Sequence, residues 1–190
     1  MKKKETYFET IRCEDFEVFN IAYHKKRVSN TIGLNIDLNE FIYPPNDKLL
    51  KCKVVYNQDG IVDISYTPYT PKQIKSLKLI YDDSIDYRYK STLRDGLDNL
   101  YGRKDEACDI LIVKNNLLTD TSIANIALFI EGFWYTPKTP LLYGTTRDRL
   151  IDTQFLKVKD LKVEDISKAT KVALMNAMIG FKEIEDITFL

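Results

Sequence analysis

An α+β fold built from two small α/β domains is what this chain predicts, and three observations carry it. The first third holds two pairs of strand-like runs joined by tight turns, with a helical stretch between the pairs. The segment Tyr66-Thr67-Pro68-Tyr69-Thr70-Pro71 then breaks the pattern, because two prolines in alternation with aromatic and β-branched residues cannot be helical. Beyond it, strands and helices alternate to the end of the chain, which gives an expected division into residues 1–70 and 71–190.

The elements follow in order. Thr6-Tyr7-Phe8-Glu9-Thr10-Ile11-Arg12-Cys13 is β-rich, Glu14-Asp15 turns, and Phe16-Glu17-Val18-Phe19-Asn20 returns, which is a hairpin. Residues 22–31 read as a helix stopped by Gly33, with His24 and Arg27 three apart on one face. Residues 37–43 read as a second short helix ending before Pro44-Pro45. Residues 48–56 and 61–67 flank Asn57-Gln58-Asp59-Gly60, a strong hairpin signal. Residues 76–81 form a strand. Ser91 is placed to cap a helix over residues 92–103, with Leu93, Leu97, Leu100 and Tyr101 on one stripe. Residues 108–114 form a buried strand and Asn115-Asn116 turns. The stretch 117–125 leads into a strand at 126–130, and Phe133-Trp134-Tyr135 is another. A helix is expected over 146–155, a strand near 156–158, a helix over 163–170, and strands at 171–177 and 183–188.

Composition narrows the function. There are 28 basic and 28 acidic residues, so no excess of positive charge is offered to nucleic acid. No run is long and apolar enough to span a membrane, and no apolar stretch follows the basic Met1-Lys2-Lys3-Lys4. Cys13, Cys52 and Cys108 are odd in number and lack metal-like spacing; they read as reduced thiols, as in a cytoplasmic protein. One histidine, His24, leaves no His-rich metal site, and no metal is expected.

Four places could carry chemistry. On position alone, Lys90 in Asp86-Tyr87-Arg88-Tyr89-Lys90-Ser91 is a solvated surface lysine. Gly144-Thr145-Thr146-Arg147 at a helix start fits either an ordinary cap or a cup for an anion, since first-turn N–H groups and the helix dipole favour negative charge. Arg27 is either a surface helix residue or a bidentate anion ligand. Asp120 is either a turn carboxylate or the partner of a buried charge.

Taken in order, these places resemble a known family. The series is Phe8-Glu9-Thr10-Ile11-Arg12, His24 to Arg27, Tyr89-Lys90 with Arg94, Leu118-Thr119-Asp120-Thr121-Ser122-Ile123-Ala124-Asn125-Ile126, Trp134-Tyr135-Thr136-Pro137 and Gly144-Thr145-Thr146-Arg147. It is similar to the class IV aminotransferases, and most of all to 4-amino-4-deoxychorismate lyase, in an unusually short chain. The resemblance implies a D-amino-acid aminotransferase-like fold with pyridoxal 5'-phosphate at the domain interface, in a homodimer acting on a small molecule. It implies Lys90 as the cofactor-bearing lysine and general base. It implies Asp120, where the family has a glutamate, as the partner of the pyridine nitrogen. It also implies Arg27 with the amides of Thr145 and Thr146 as the phosphate cup.

Two details lean toward the lyase, a step of folate biosynthesis: Thr10, where branched-chain enzymes tend to have glycine, and Met175-Asn176-Ala177-Met178. Thr10 is either a β-branched strand residue or a hydroxyl aimed at the reacting centre, and so a catalytic candidate. An amino-acid aminotransferase (branched-chain or D-amino acid) and a non-catalytic homologue are the alternatives.

Overall fold

The computed structural model describes residues 4–190; the basic start at Met1-Lys2-Lys3 lies outside them. The described chain forms two compact units. One takes the described part of Met1–Pro71 together with Tyr89–Leu93; the other takes Lys72–Arg88 and Arg94–Leu190.

In the first unit β1 (Tyr7–Glu14), β2 (Glu17–Val18), β3 (Leu50–Asn57) and β4 (Gly60–Pro68) form an antiparallel sheet in the order β2-β1-β3-β4. The strict alternation of β1 buries Tyr7, Glu9, Ile11 and Cys13 on one face and turns Phe8, Thr10, Arg12 and Glu14 to the other. Helix α1 (Ile21–Ile32) presents His24, Val28 and Ile32, four apart, to the buried side. It stops where Gly33 enters the left-handed region at φ 74° and its N–H donates to the Ser29 carbonyl at 2.8 Å. Ile11, Val28, Leu38, Leu50, Val54 and Tyr56 close the core between sheet and helix. Each buried Ile or Leu there contributes roughly 1.5–3 kcal/mol. β4 is an edge strand, so it tolerates Pro68 and runs three residues into the expected linker. The expected second helix is only a 3-10 turn, Leu38–Glu40, capped by the Asp37 carboxylate.

Tyr89–Leu93 packs with this unit although it follows the expected boundary. The Phe8 N–H donates to the Lys90 carbonyl and the Thr92 N–H to the Thr6 carbonyl, both at 2.9 Å, and Ser91 bridges Tyr7. Lys90 therefore lies in a short strand-like segment laid along β1. That pairing occupies the backbone of residues 90–92 outside any helix and corrects the expected helix boundary. α2 runs over Asp95–Tyr101, and Ser91 does not cap it; its hydroxyl accepts from the Leu93 N–H.

The second unit is dominated by one sheet. β5 (Ser76–Tyr81) lies parallel to β6 (Asp109–Lys114), and β6 turns into β7 (Leu117–Thr121) through Asn115 and Asn116, at φ 51° and 61°. Both turn residues are left-handed, as a two-residue hairpin loop requires. β8 (Asn125–Ile130) turns into β9 (Phe133–Pro137) through Glu131 and Gly132 in the same way. β10 (Lys157–Lys159) pairs β9, β11 (Lys171–Asn176) pairs β8 and β12 (Gly180–Ile184), and β13 (Thr188–Phe189) pairs β5. Leu97 and Leu100 of α2 pack with Ile110 and Ile112, and α3 (Thr145–Asp152) sets Leu150 against Trp134 and Met175. Three expectations shift. Asp120 lies inside β7 rather than in a lead-in to a strand; 163–170 is a 3-10 turn, Val163–Lys168; and the expected last strand divides into β12 and β13.

Candidate functional site

The candidates in the first unit divide between the two faces of β1. On the outward face the Lys90 ammonium stands 4.8 Å from the centre of the Phe8 ring. Thr10 follows two residues on and shares that face. On the inward face Glu9 is fully buried. Its carboxylate accepts from Arg27 through Nε at 2.9 Å and Nη2 at 2.5 Å, and lies 2.5 Å from His24 Nδ1 and 3.4 Å from the Tyr56 hydroxyl.

The charges within this cluster can be assigned. Burial pushes the Glu9 carboxyl up, but the Arg27 charge and the hydrogen bonds from His24 and Arg27 outweigh it and hold the pKa at about 2. Burial pushes His24 down, against the pull of Glu9, and the positive charges of Arg27 and Lys90 push it further. His24 is thus a neutral imidazole whose Nδ1–H donates to an ionised Glu9. Arg27 commits its Nε–Nη2 edge to Glu9, which fixes the plane of the guanidinium.

In the second unit the candidates gather around Asp120, which is buried in β7. Oδ1 accepts from Asn125 Nδ2 at 2.7 Å and Oδ2 from the Leu142 N–H at 2.8 Å. Asn125 Nδ2 also donates to the Leu142 carbonyl at 2.9 Å. Burial raises Asp120 to about 6 against the lowering effect of those bonds and of the Arg147 charge. Each carboxylate oxygen has two lone pairs and can take a further donor.

Gly144 begins α3 in extended conformation, with no side-chain cap over the first turn. A Cβ at Gly144 would lie 2.0 Å from Asn125 Oδ1, so the amide of Asn125 fits only against a glycine. Thr145 and Thr146 are buried in that first turn. Arg147 is buried too; it donates to the Pro137 carbonyl at 2.8 Å and stands over Tyr143, and its Nε has no hydrogen-bond partner.

The structure thus gathers Lys90 and Thr10 on one face of β1, sets Arg27 on the other, and joins Asp120 through Asn125 to the start of α3. Sequence reasoning missed Glu9, Tyr56 and Asn125 as site residues. A signal for Glu9 was present: a carboxylate at an inward position of an alternating strand needs a buried partner, and His24 and Arg27 share a helix face. Nothing in the sequence pairs Asn125 with Gly144.

These groups suit pyridoxal phosphate in kind. There is a lysine beside an aromatic ring, a buried carboxylate with neutral donors and remaining acceptor capacity, an arginine with a fixed plane, and a helix start without a side-chain cap.

Comparison with known proteins agrees. Residues 61–187 match the family model for amino-transferase class IV. An uncharacterized protein of Haemophilus influenzae is 30% identical over 185 residues, 91% of this chain and 97% of that one. A crystal structure from Haemophilus somnus 129PT, provisionally named 4-amino-4-deoxychorismate lyase, is 30% identical with a TM-score of 0.86, over 95% of this chain and 99% of that one. The PLP-bound form of a hypothetical aminotransferase from Mycobacterium tuberculosis shares the fold at 13% identity and a TM-score of 0.81, over 97% of this chain and 81% of that one. Among the described residues no helix is long and apolar enough to cross a membrane.

Proposed function

Because the chain belongs to the class IV aminotransferases, a family of pyridoxal-phosphate-dependent enzymes, we propose that it is the lyase that converts 4-amino-4-deoxychorismate to 4-aminobenzoate and pyruvate. One observation favours lyase over transaminase: Thr10 puts a hydroxyl on the strand face over which the Lys90 ammonium stands. The likeness to the Haemophilus somnus protein supports the same choice.

When bound, the cofactor supplies an electron sink for the pair left on the substrate carbon as a bond to that carbon breaks. Lys90 is the residue that would hold the cofactor, and its amine is the base that takes the proton from the ring carbon that bears the substrate amine. The C–O bond to the enolpyruvyl group then breaks and the ring becomes aromatic. The proton passes to the departing enolpyruvate, which leaves as pyruvate, so atoms and charge balance. Thr10 donates a hydrogen bond to the reacting substrate. Asp120 would accept from the cofactor's ring nitrogen and keep it protonated. Arg27 in the first unit and the first-turn amides at Thr145 and Thr146 in the second are the groups that would hold the phosphate; Glu9 and His24 keep the guanidinium in plane. A homodimer in the cytoplasm is the working form in this reading, and light scattering measures its mass.

The experiment is a coupled pyruvate assay on cofactor-replete protein with 4-amino-4-deoxychorismate. Stoichiometric 4-aminobenzoate and pyruvate support the lyase. Absence of pyruvate, with amino-group transfer from L- or D-amino acids to a keto acid, replaces it with the aminotransferase.

A further inference from the structure

Arg94 has no part in the chemistry above, yet every nitrogen of its guanidinium is engaged. It stands at the start of α2, where its carbonyl accepts the Asp98 N–H at 2.8 Å. Nε reaches the Asp98 carboxylate at 3.4 Å, Nη1 donates to the Tyr87 hydroxyl at 3.2 Å, and Nη2 donates to the Ser122 carbonyl at 3.1 Å. The buried Tyr87 ring has its centre 5.4 Å from the guanidinium carbon. A planar fork held at three points beside a ring is fixed in direction, so the Ser122 carbonyl meets an oriented charge.

Ser122 is gripped at its other backbone group by Asp109, a buried carboxylate at the start of β6 that the chemistry also leaves unused. Asp109 Oδ1 accepts the Ile110 N–H at 2.8 Å and the Ser122 N–H at 3.4 Å, and the carboxylate also bonds the Ser122 and Thr121 side chains. An anion at the N–H and a cation at the C=O both match the polarity of the Ser122 backbone, and bonds to charged groups are the strong ones.

The gripped residue lies in the turn that joins Asp120 to Asn125. Inside the turn the Thr121 N–H donates to the Ala124 carbonyl at 2.9 Å, and Thr121 Oγ1 accepts the Ile123 and Ala124 N–H groups at 3.3 and 3.0 Å. Those bonds fix the shape of the turn. Its seat is set from outside, because Ser122 lies beyond the pairing of Thr121 with Leu111 on β6. Arg94 and Asp109 supply two outside holds, and Asn176 Nδ2 supplies another to the Ile123 carbonyl at 3.1 Å. Asp120 and Asn125 face each other across β7 and β8 and share a 2.7 Å hydrogen bond, so a shift of the turn shifts both.

We propose that Arg94 is a positioning residue for Asp120: together with Asp109 it clamps Ser122, and through the turn it holds the Asp120–Asn125 pair where a cationic ring nitrogen can meet the carboxylate. The inference rests on the reading of Asp120 as the partner of the cofactor's ring nitrogen. It is independent of the choice between lyase and transaminase, since both need that nitrogen held.

The test is a double-mutant cycle on cofactor affinity. Dissociation constants for pyridoxal phosphate are measured by fluorescence titration for the wild type, R94M, D120N and R94M/D120N, each well below its melting temperature. R94M is expected to weaken binding about fivefold or more in the wild-type background and less than about twofold in D120N, because Arg94 acts through Asp120. The same cycle with R94K, which keeps the charge and loses the fork, is expected to show a smaller coupling of the same sign. L100A removes core packing from the same helix; it is expected to lower the melting temperature at least as much as R94M and to leave the dissociation constant within about twofold. In the cofactor-free protein, amide hydrogen exchange is expected to quicken at residues 122–125 in R94M and not at Ile112 of β6. The proposal is overturned if R94M binds the cofactor as the wild type does, if it costs the same factor in D120N as in the wild type, or if L100A weakens binding as much. A wild type that binds no pyridoxal phosphate removes the parent reading instead; exchange at residues 122–125 then decides whether Arg94 holds the turn, and unchanged exchange overturns it.

Discussion

Glu9 in the first unit and Asp120 in the second are both buried carboxylates, and their acidities are pushed in opposite directions. Glu9 is held at about 2 and Asp120 is raised to about 6. Both are fully desolvated, so burial does not separate them. The difference lies in their partners. Glu9 has a guanidinium on both oxygens and an imidazole N–H. Asp120 has an amide N–H and a backbone N–H, both neutral, and feels the Arg147 charge without a hydrogen bond from it. A buried carboxylate that already has its cation is a fixture that orients that cation. One without a cation gains most from a cationic ligand, such as a protonated pyridine nitrogen.

The largest effect expected from breaking this contrast is at Glu9. E9Q leaves Arg27 and its hydrogen-bonding edge without a buried counter-charge and should cost about 3 kcal/mol or more in urea unfolding at pH 7. The pH dependence has a definite sign. The folded pKa lies below the ordinary 4.5, so the contribution is complete above 4.5 and is lost as pH falls toward 2. Wild type should lose stability relative to E9Q across that window.

Asp120 should behave in the opposite sense. Its folded pKa lies above the ordinary 3.8, so the folded protein binds more protons than the unfolded chain between about 4 and 6. Stability of the cofactor-free protein should fall by roughly 2–3 kcal/mol as pH rises through that window, and D120N should lack this slope. D120N should also weaken cofactor binding about tenfold or more, the scale of one charge-assisted hydrogen bond (~1.5–3 kcal/mol), as measured by fluorescence titration.

Much of this was legible in the residues. The alternation of β1 separates Thr10 from Glu9, and Gly33 marks the end of α1. The two asparagines at 115 and 116 mark a hairpin. The boundary after Lys90 was not legible, because Ser91 looks like a helix cap to any local reading. Its backbone is claimed instead by pairing with Tyr7, which lies far away in sequence. The short segment at 37–43 misled for a related reason: Leu38 in a single 3-10 turn and Ile42 just beyond it both serve the core of the sheet. The pairings of Asp120 with Leu142 and of Asn125 with Gly144 depend on tertiary approach and leave no local pattern.

The third effect is smaller and sharpens the role of that approach. G144A drives a methyl group into Asn125 Oδ1 and should cost about 1–3 kcal/mol in thermal unfolding, while loosening the grip on Asp120. The smallest is at Thr10, which faces away from Glu9 on the same strand. T10V keeps the shape and removes one hydrogen bond, worth ~1 kcal/mol; kcat for pyruvate release should drop about five- to tenfold with stability unchanged.

The most direct test of the account concerns Lys90. Protein is incubated with pyridoxal phosphate, reduced with borohydride and digested, and the peptides are weighed by mass spectrometry. The account expects the reduced cofactor on the peptide that contains Lys90, and none on the corresponding peptide of K90A. No adduct, or an adduct carried by another lysine, would contradict it.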